Sequence, residues 1–368
     1  MGDKSVHVYT ETDGIDEAFA DILSANKAKT EALAELGIEE LRLGLYRVPV
    51  PLPNNPLKVL NSYFIVGKDK TTIIDVGFNH PDCEKALDRA LEALGTSWED
   101  VEIVLTHSHP DHTGNLDRIW RRWIRVYANM HSFQEVKNLM DIQSTVFNPL
   151  LRHLSDSGTY DERSMQKRNA NRYQVSAELL PLKNQPDLFY LSDGDTYRNG
   201  DYVFQVITTP GHDDWHICLY EPIKKILIAG DHILERITPS VMSWVNSYDA
   251  LQEFMNSLRK VRNLDVDLIL PGHGKPFTGI AERVDYLIQH HKDRLEELYS
   301  LVIIDIARNA SWRYPDWDDW TLDQKFYSLG ETFAHLIYLV NEGRVTLTIT
   351  QNKRRFFIAD QWDVKHVD

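Results

Sequence analysis

Cysteine is nearly missing from this 368-residue sequence. Cys83 and Cys218 stand alone and far apart, which excludes a disulfide framework and a CxxC zinc site. Basic residues are short as well: 40 Lys and Arg face 55 Asp and Glu, a formal charge of −15. Such a chain repels polyphosphate at long range, which argues against general nucleic-acid binding. No apolar run reaches membrane-spanning length, and the run from Leu301 to Ile306 is broken by Asp305. Met1 to Asp13 lack the basic and then apolar pattern of a secretion signal, so the expectation is a cytoplasmic protein with no membrane partner. There is no GxSxG motif for a serine nucleophile, no long-period repeat and no low-complexity tract.

What is present suits a folded enzyme. Hydrophobic residues make up 42% and charged residues 26%, an ordinary globular balance. The pattern predicts a helix from Ile15 to about Glu40, with Asp13 as cap, then a strand over Leu41 to Val50 and a loop at Pro51, Pro53 and Pro56. Strands are expected at Ser62–Val66, Thr71–Val76 and Val101–Leu105, with a helix from Asp82 to about Leu94 between the last two. Further strands are read at Tyr202–Thr208, Lys225–Ala229 and Asp267–Leu270. A long amphipathic helix follows from Ala281 to about Arg308, then a second over Leu322–Gly343 and a hairpin over Arg344–Ala359 turning near Gln351-Asn352.

The chemistry concentrates in Thr106-His107-Ser108-His109-Pro110-Asp111-His112. Three imidazoles and a carboxylate within a few residues suit zinc, and also iron or manganese. His107 and His109, two apart, can reach one ion from a loop while Asp111 and His112 point towards a second. Structural roles for all four are disfavoured, because each desolvated polar group needs a partner. Three more ligand-type residues follow apolar runs and glycine turns: His212 in Thr-Pro-Gly-His, Asp231 in Ala-Gly-Asp and His273 in Pro-Gly-His-Gly. Singly each is an ordinary turn; in order behind the histidine-rich loop they form one pattern.

The motifs IIDVG, THSHPDH, PGH, AGD and PGHG, spread from about Asn61 to Pro276, resemble the five ordered motifs of the metallo-β-lactamase-fold hydrolase superfamily. The resemblance implies the α/β class and an αββα sandwich with metals at one edge. It implies that His107, His109 and His212 hold one ion, that Asp111, His112 and His273 hold another, and that Asp231 bridges them. Asp75 matches an orienting carboxylate behind the ligands. His216 lies where related enzymes often carry a second histidine, and it reads as a residue behind the ligands, in the pocket or at the surface. The implied cofactor is two divalent ions per chain, zinc foremost, with iron or manganese compatible. The implied reaction is hydrolysis by a metal-bridging hydroxide, with Asp111 steering its proton.

Substrate is less constrained. A diiron flavoprotein carries glutamate where His109 stands and a flavodoxin domain behind. Asp231 and His273 lie too close in sequence for an inserted nuclease domain of the mRNA-processing type. The core resembles glyoxalase II and related thioesterases, although the glutathione-binding tail is not recognisable. The segments Asp231–Pro239 and Leu329–Leu336 resemble the β-lactamase-like protein 2 branch, which holds presumed acyl hydrolases and an endoribonuclease. The expectation is therefore an ester or thioester hydrolase with a small-molecule acyl substrate, with an endoribonuclease or a lactonase and β-lactam-type amide hydrolase as alternatives. A third class, a binding protein on a hydrolase scaffold, has little need of two open metals.

Three regions are expected: a helical extension over 1–40, the catalytic domain over 41–280, and a helical, winged-helix-like module over 281–368. An insert at about 130–188 is read as a cap over the pocket. Its Arg163, Lys167, Arg168 and Arg172 either hold an anionic thioester or form a solvated face. Trp215 and Trp244 either line an apolar pocket or belong to the core. Lys353, Arg354 and Arg355 sit at the expected wing and read as a solvated hairpin or cap in preference to a nucleic-acid contact.

Overall fold

The computed structural model describes residues 30–138, 181, 183–184, 186–242, 249–299, 320, 322–350 and 353–358. Seven strands in chain order make the first sheet: β1 (Glu39–Arg42), β2 (Leu45–Pro51), β3 (Val59–Val66), β4 (Thr71–Ile74), β5 (Val101–Val104), β6 (Arg125–Ala128) and β7 (Leu188–Tyr190). Pairing is antiparallel from β1 to β4 and parallel from β4 to β7. Parallel pairing of β4 with β5 needs a crossover, and α1 (Pro81–Leu94) supplies it.

That helix is well specified locally. The His80 ring accepts the Asp82 N–H at its start, Pro81 occupies the first turn, and Gly95 closes the end in a left-handed conformation. Cys83, Leu87, Ala90, Leu91 and Leu94 form its buried stripe.

The second sheet has the order β12-β11-β10-β9-β8, built from β8 (Thr196–Asn199), β9 (Tyr202–Thr208), β10 (Ile217–Glu221), β11 (Ile226–Gly230) and β12 (Leu268–Pro271). Only β11 and β12 are parallel within it, and α4 (Ala250–Val261) is their crossover. Asp249 caps α4 by accepting the Gln252 N–H.

Three cores stack these layers. Val50, Ile73 and Ile103 pack with Leu87 and Leu91 of α1 outside the first sheet. Tyr63, Ile65, Ile74 and Val104 meet Phe204, Val206, Leu219 and Leu270 between the sheets. Ile269 and Leu227 pack with Phe254 and Leu258 of α4, and with Val284 and Leu287 of α5 (Ile280–Tyr299), outside the second. The expected αββα arrangement follows from sheets buried on both faces.

The C-terminal elements join the last of these cores. α6 (Leu322–Asn341) packs on α5 and α4, and its Ala334 and Leu339 are buried with Phe254 and Leu295. The expected hairpin is β13 (Val345–Thr350) paired antiparallel with β14 (Lys353–Ile358), which carries Lys353, Arg354 and Arg355.

Some expectations shift. The strand read through Val76 ends at Ile74, because Asp75 adopts φ 61° and turns the chain. The helix read to Glu40 ends at Glu35, and the single strand read over Leu41–Val50 is two, β1 and β2, folded back at Leu43-Gly44 where Gly44 has φ 75°. Strands β6, β7, β8 and β10 and helix α4 add to the expected set. Trp215 is partly buried against the core of the first sheet. Most of the read N-terminal helix, most of the insert with Arg163, Lys167, Arg168 and Arg172, and Trp244 lie outside the described residues.

Phe204 is fully buried between the sheets. Phe204→Ala is expected to destabilise the protein by about 3–5 kcal/mol, the cost of a large cavity in a core that cannot collapse. Chemical denaturation checks this through a lowered midpoint at unchanged slope.

Candidate metal centre

The seven candidate ligands all follow the C-terminal ends of strands at one edge of the sandwich. His107, His109, Asp111 and His112 come after β5, and His212, Asp231 and His273 after β9, β11 and β12. Pro110 opens a short helix, α2 (Pro110–Thr113), which carries Asp111 and His112 and is followed by the equally short α3 (Leu116–Ile119). Gly211 before His212 has φ 130°, and a Cβ there would lie 2.5 Å from the backbone of Phe254 on α4. Gly272 before His273 sits where a Cβ would strike the Asp231 carboxylate and the His112 ring. Both Pro-Gly-His turns therefore need glycine, one for conformation and both for close approach.

The ligand atoms converge in three overlapping groups: His107, His109 and His212; His107, His112 and Asp231; and Asp111, His112 and His273. Within each group the ligand atoms lie within 4.8 Å of one another. The Asp231 Oδ2 atom is 3.7 Å from His212 Nε2, 3.7 Å from His112 Nε2 and 3.4 Å from His273 Nε2, so one carboxylate faces both sides of the cluster. His273 Nε2 also lies 3.3 Å from Asp111 Oδ2.

Behind the ligands, hydrogen bonds fix the rings of His112, His212 and His273. His112 Nδ1 is 2.8 Å from Asp75 Oδ2. Asp75 also accepts the Thr106 N–H at 2.8 Å and the Thr106 hydroxyl at 2.7 Å. The Nδ1 atoms of His212 and His273 donate to the carbonyls of Ser240 and Val59, at 2.6 and 2.9 Å. Donation from Nδ1 leaves the Nε2 lone pair free for a cation. His216 takes part in none of the three groups. Its Nε2 accepts the Asp231 N–H at 3.1 Å, and its Nδ1 pairs with Thr209 Oγ1 at 2.7 Å.

The residues fit a cation centre. The Nε2 atoms of His112, His212 and His273 and the Oδ1 atom of Asp231 are buried without a hydrogen-bond partner. Leaving such atoms unpaired costs about 1–3 kcal/mol each. Divalent ions satisfy all of them at once, and nitrogen and oxygen donors are what zinc, iron and manganese take.

The electrostatics divide the cluster. Burial holds His107 well below the ordinary imidazole value, aided by His112, His109 and His216. Burial, reinforced by His109, also takes His212 down to about 4. On the other side burial is outweighed. Asp75, Asp231 and Asp111 raise His112 well above its usual value, and Asp231 and Asp111 raise His273 to about 10. Asp111 falls to about 2 despite burial, because His112 and His273 stand beside it.

Sequence reasoning missed most of the supports. Thr106 is visible as the first residue of THSHPDH, whereas carbonyl acceptors such as Ser240 and Val59 leave no side-chain signal. Asp213, whose carboxylate accepts the Ser108 hydroxyl and the Trp215 N–H, the latter at 2.8 Å, ties the loop of His212 to that of His107 and His109.

Two outcomes are expected. Without metal, His112 and His273 are protonated at neutral pH, so ion uptake must expel about two protons, and affinity must rise with pH. Titration calorimetry at pH 7 in buffers of different ionisation enthalpy measures the release. Asp75→Asn removes the charge that orients His112 and is expected to weaken metal affinity about 10–100-fold, read by competition with a chelator.

The family model of the metallo-beta-lactamase superfamily matches residues 58–273. The probable metallo-hydrolase YqjP of Bacillus subtilis (strain 168) is 27% identical over 263 residues, covering 68% of this chain and 77% of that protein. Acyl-coenzyme A thioesterase MBLAC2 of Homo sapiens is 28% identical over 245 residues, covering 63% and 78%. A metallo-beta-lactamase family protein from Thermus thermophilus, known from its crystal structure, superposes with a TM-score of 0.66 at 27% identity, covering 87% of this chain and 100% of that one. The family match takes in well over half of the chain and every candidate ligand from His107 to His273, and the chain belongs to the metallo-beta-lactamase superfamily.

Proposed function

We propose that this chain is a dinuclear metal-dependent hydrolase acting on acyl esters or thioesters. The observation that carries the reading is the convergence of seven ligand groups, several of whose buried nitrogen and oxygen atoms have no hydrogen-bond partner. Similarity to an acyl-coenzyme A thioesterase favours the thioester among acyl substrates. In this reading His107, His109 and His212 would hold one ion and Asp111, His112 and His273 the other, and Asp231, which faces both groups, would serve as a ligand to each. Zinc is the preferred ion, and iron and manganese accept the same donors.

When bound, the two cations make hydroxide available near neutral pH and polarise the scissile carbonyl. The chain's own residues do the rest. Asp75 keeps the His112 ring in place. His216 and Thr209 fix the backbone of Asp231 from behind. Asp111 is only partly buried and stays ionised at neutral pH, so it can take and direct a proton of the attacking water. Ser108 and Asp213 hold the two ligand loops at a fixed separation. The acidic composition fits a small acyl substrate better than RNA.

Protein reconstituted with zinc is expected to hold about two ions per chain and to turn over acyl thioesters while leaving short RNA intact. Elemental analysis and a mixed panel of thioesters, lactones and RNA check both points. RNA cleavage without acyl hydrolysis, or no ion bound, overturns the reading. Asp231→Ala is expected to lose the second ion and abolish hydrolysis; full activity at intact metal content removes its bridging role.

A further inference from the structure

The segment from Asp231 to Ser240 carries two parts of the centre. It begins with the Asp231 carboxylate, which faces both sides of the cluster, and it ends with the carbonyl that accepts from His212 Nδ1 at 2.6 Å. Between them the chain is irregular, with no strand or helix to set its path. Ile233 and Leu234 are buried, which anchors the first half. The second half has a different anchor. Arg283, on α5, donates from Nε to the Leu234 carbonyl at 2.7 Å and from Nη2 to the Ile237 carbonyl at 2.8 Å. A planar guanidinium bonded to two carbonyls three residues apart fixes both distance and orientation, which a single bond cannot do. The guanidinium carbon lies 4.9 Å from the centre of the Tyr286 ring, one turn along α5, which restricts it further.

We propose that Arg283 is a positioning residue of the metal centre. It holds the Asp231–Ser240 segment so that the Ser240 carbonyl meets His212 and the His212 ring presents Nε2 to the first ion. Arg283 lies outside residues 58–273, which the family model matches, so α5 takes part in building the site. The inference rests on the proposed metal reading of the seven ligands.

A neighbouring pair supplies the control. Arg262, just after α4, makes a double salt bridge to Asp285 of α5, at 2.6 Å for both contacts, and makes no hydrogen bond to the 231–240 segment. Removing it loosens the same helix without releasing the loop.

The test uses cobalt(II) as probe on the full chain, because its visible bands report the ligand set of each site. Wild type, Arg283→Ala, Arg283→Lys and Arg262→Ala are titrated, and thermal unfolding of each metal-free protein is recorded. Arg283→Ala is expected to keep its fold but to bind the first ion about 10–100-fold more weakly, with altered bands. Arg283→Lys, which keeps one donor group, is expected to recover part of the loss, and Arg262→Ala to match wild type. Wild-type affinity and bands in Arg283→Ala overturn the positioning role while leaving the metal reading intact. An equal loss in Arg262→Ala also overturns it, since loosening α5 then suffices. A wild-type chain that binds no cobalt overturns both.

Discussion

The carboxylate of Asp75 is the point on which the centre depends. One oxygen accepts the Thr106 N–H, and the other accepts the Thr106 hydroxyl and faces the His112 ring. Its own N–H donates to the Val104 carbonyl, and its carbonyl accepts the Ser62 hydroxyl. One residue thereby joins β3, β4 and β5 to the loop that carries four candidate ligands. Its left-handed backbone is tolerated because aspartate is among the few residues that adopt φ above zero at modest cost. Buried at the end of a parallel strand pair, the carboxyl group meets backbone, hydroxyl and imidazole partners on both oxygens, as a buried polar group requires.

The wider electrostatics have the same logic on a larger scale. The chain is strongly acidic, yet its centre gathers five histidines among two carboxylates. Burial pushes three of those imidazoles towards neutrality, and the carboxylates hold the other two charged until an ion replaces the protons. A site arranged in this way is specified for cations before any cation arrives. The outer supports, from Thr106 and Ser240 to Asp213, constrain the rings, which is what allows a few irregular loops to act as a rigid cage.

Much of this is legible in the sequence where side-chain type carries the signal. The run THSHPDH and the three glycine turns locate all seven residues that converge, because metal donors are rare side chains at tight spacing. Strands with alternating or short apolar patterns, such as β3 and β9, are readable for the same reason. The strand β10 is not, since Ile217–Glu221 is buried on both faces and shows no alternation. Helix α4 is absent from the expected elements, although Leu251, Phe254, Leu258 and Val261 form a stripe at helical spacing. Asp75 ends its strand early because a left-handed residue cannot continue it. Backbone acceptors and the reach of Arg283 across chain-distant loops depend on the folded path, and no local pattern encodes them.

The ligands also divide between the sheets: four follow a strand of the first, and three follow strands of the second. Other polar contacts cross that boundary close by, among them the Asn61 side chain to the carbonyls of Pro271 and Gly274, and the Tyr63 hydroxyl to Pro271. An ion held by donors from both halves would act as a clasp, and its binding would stabilise the docked sheets by mass action. Loss of the ions would then weaken the seam between the sheets, leaving these polar contacts and the apolar core of Tyr63, Phe204 and Leu270 to hold it.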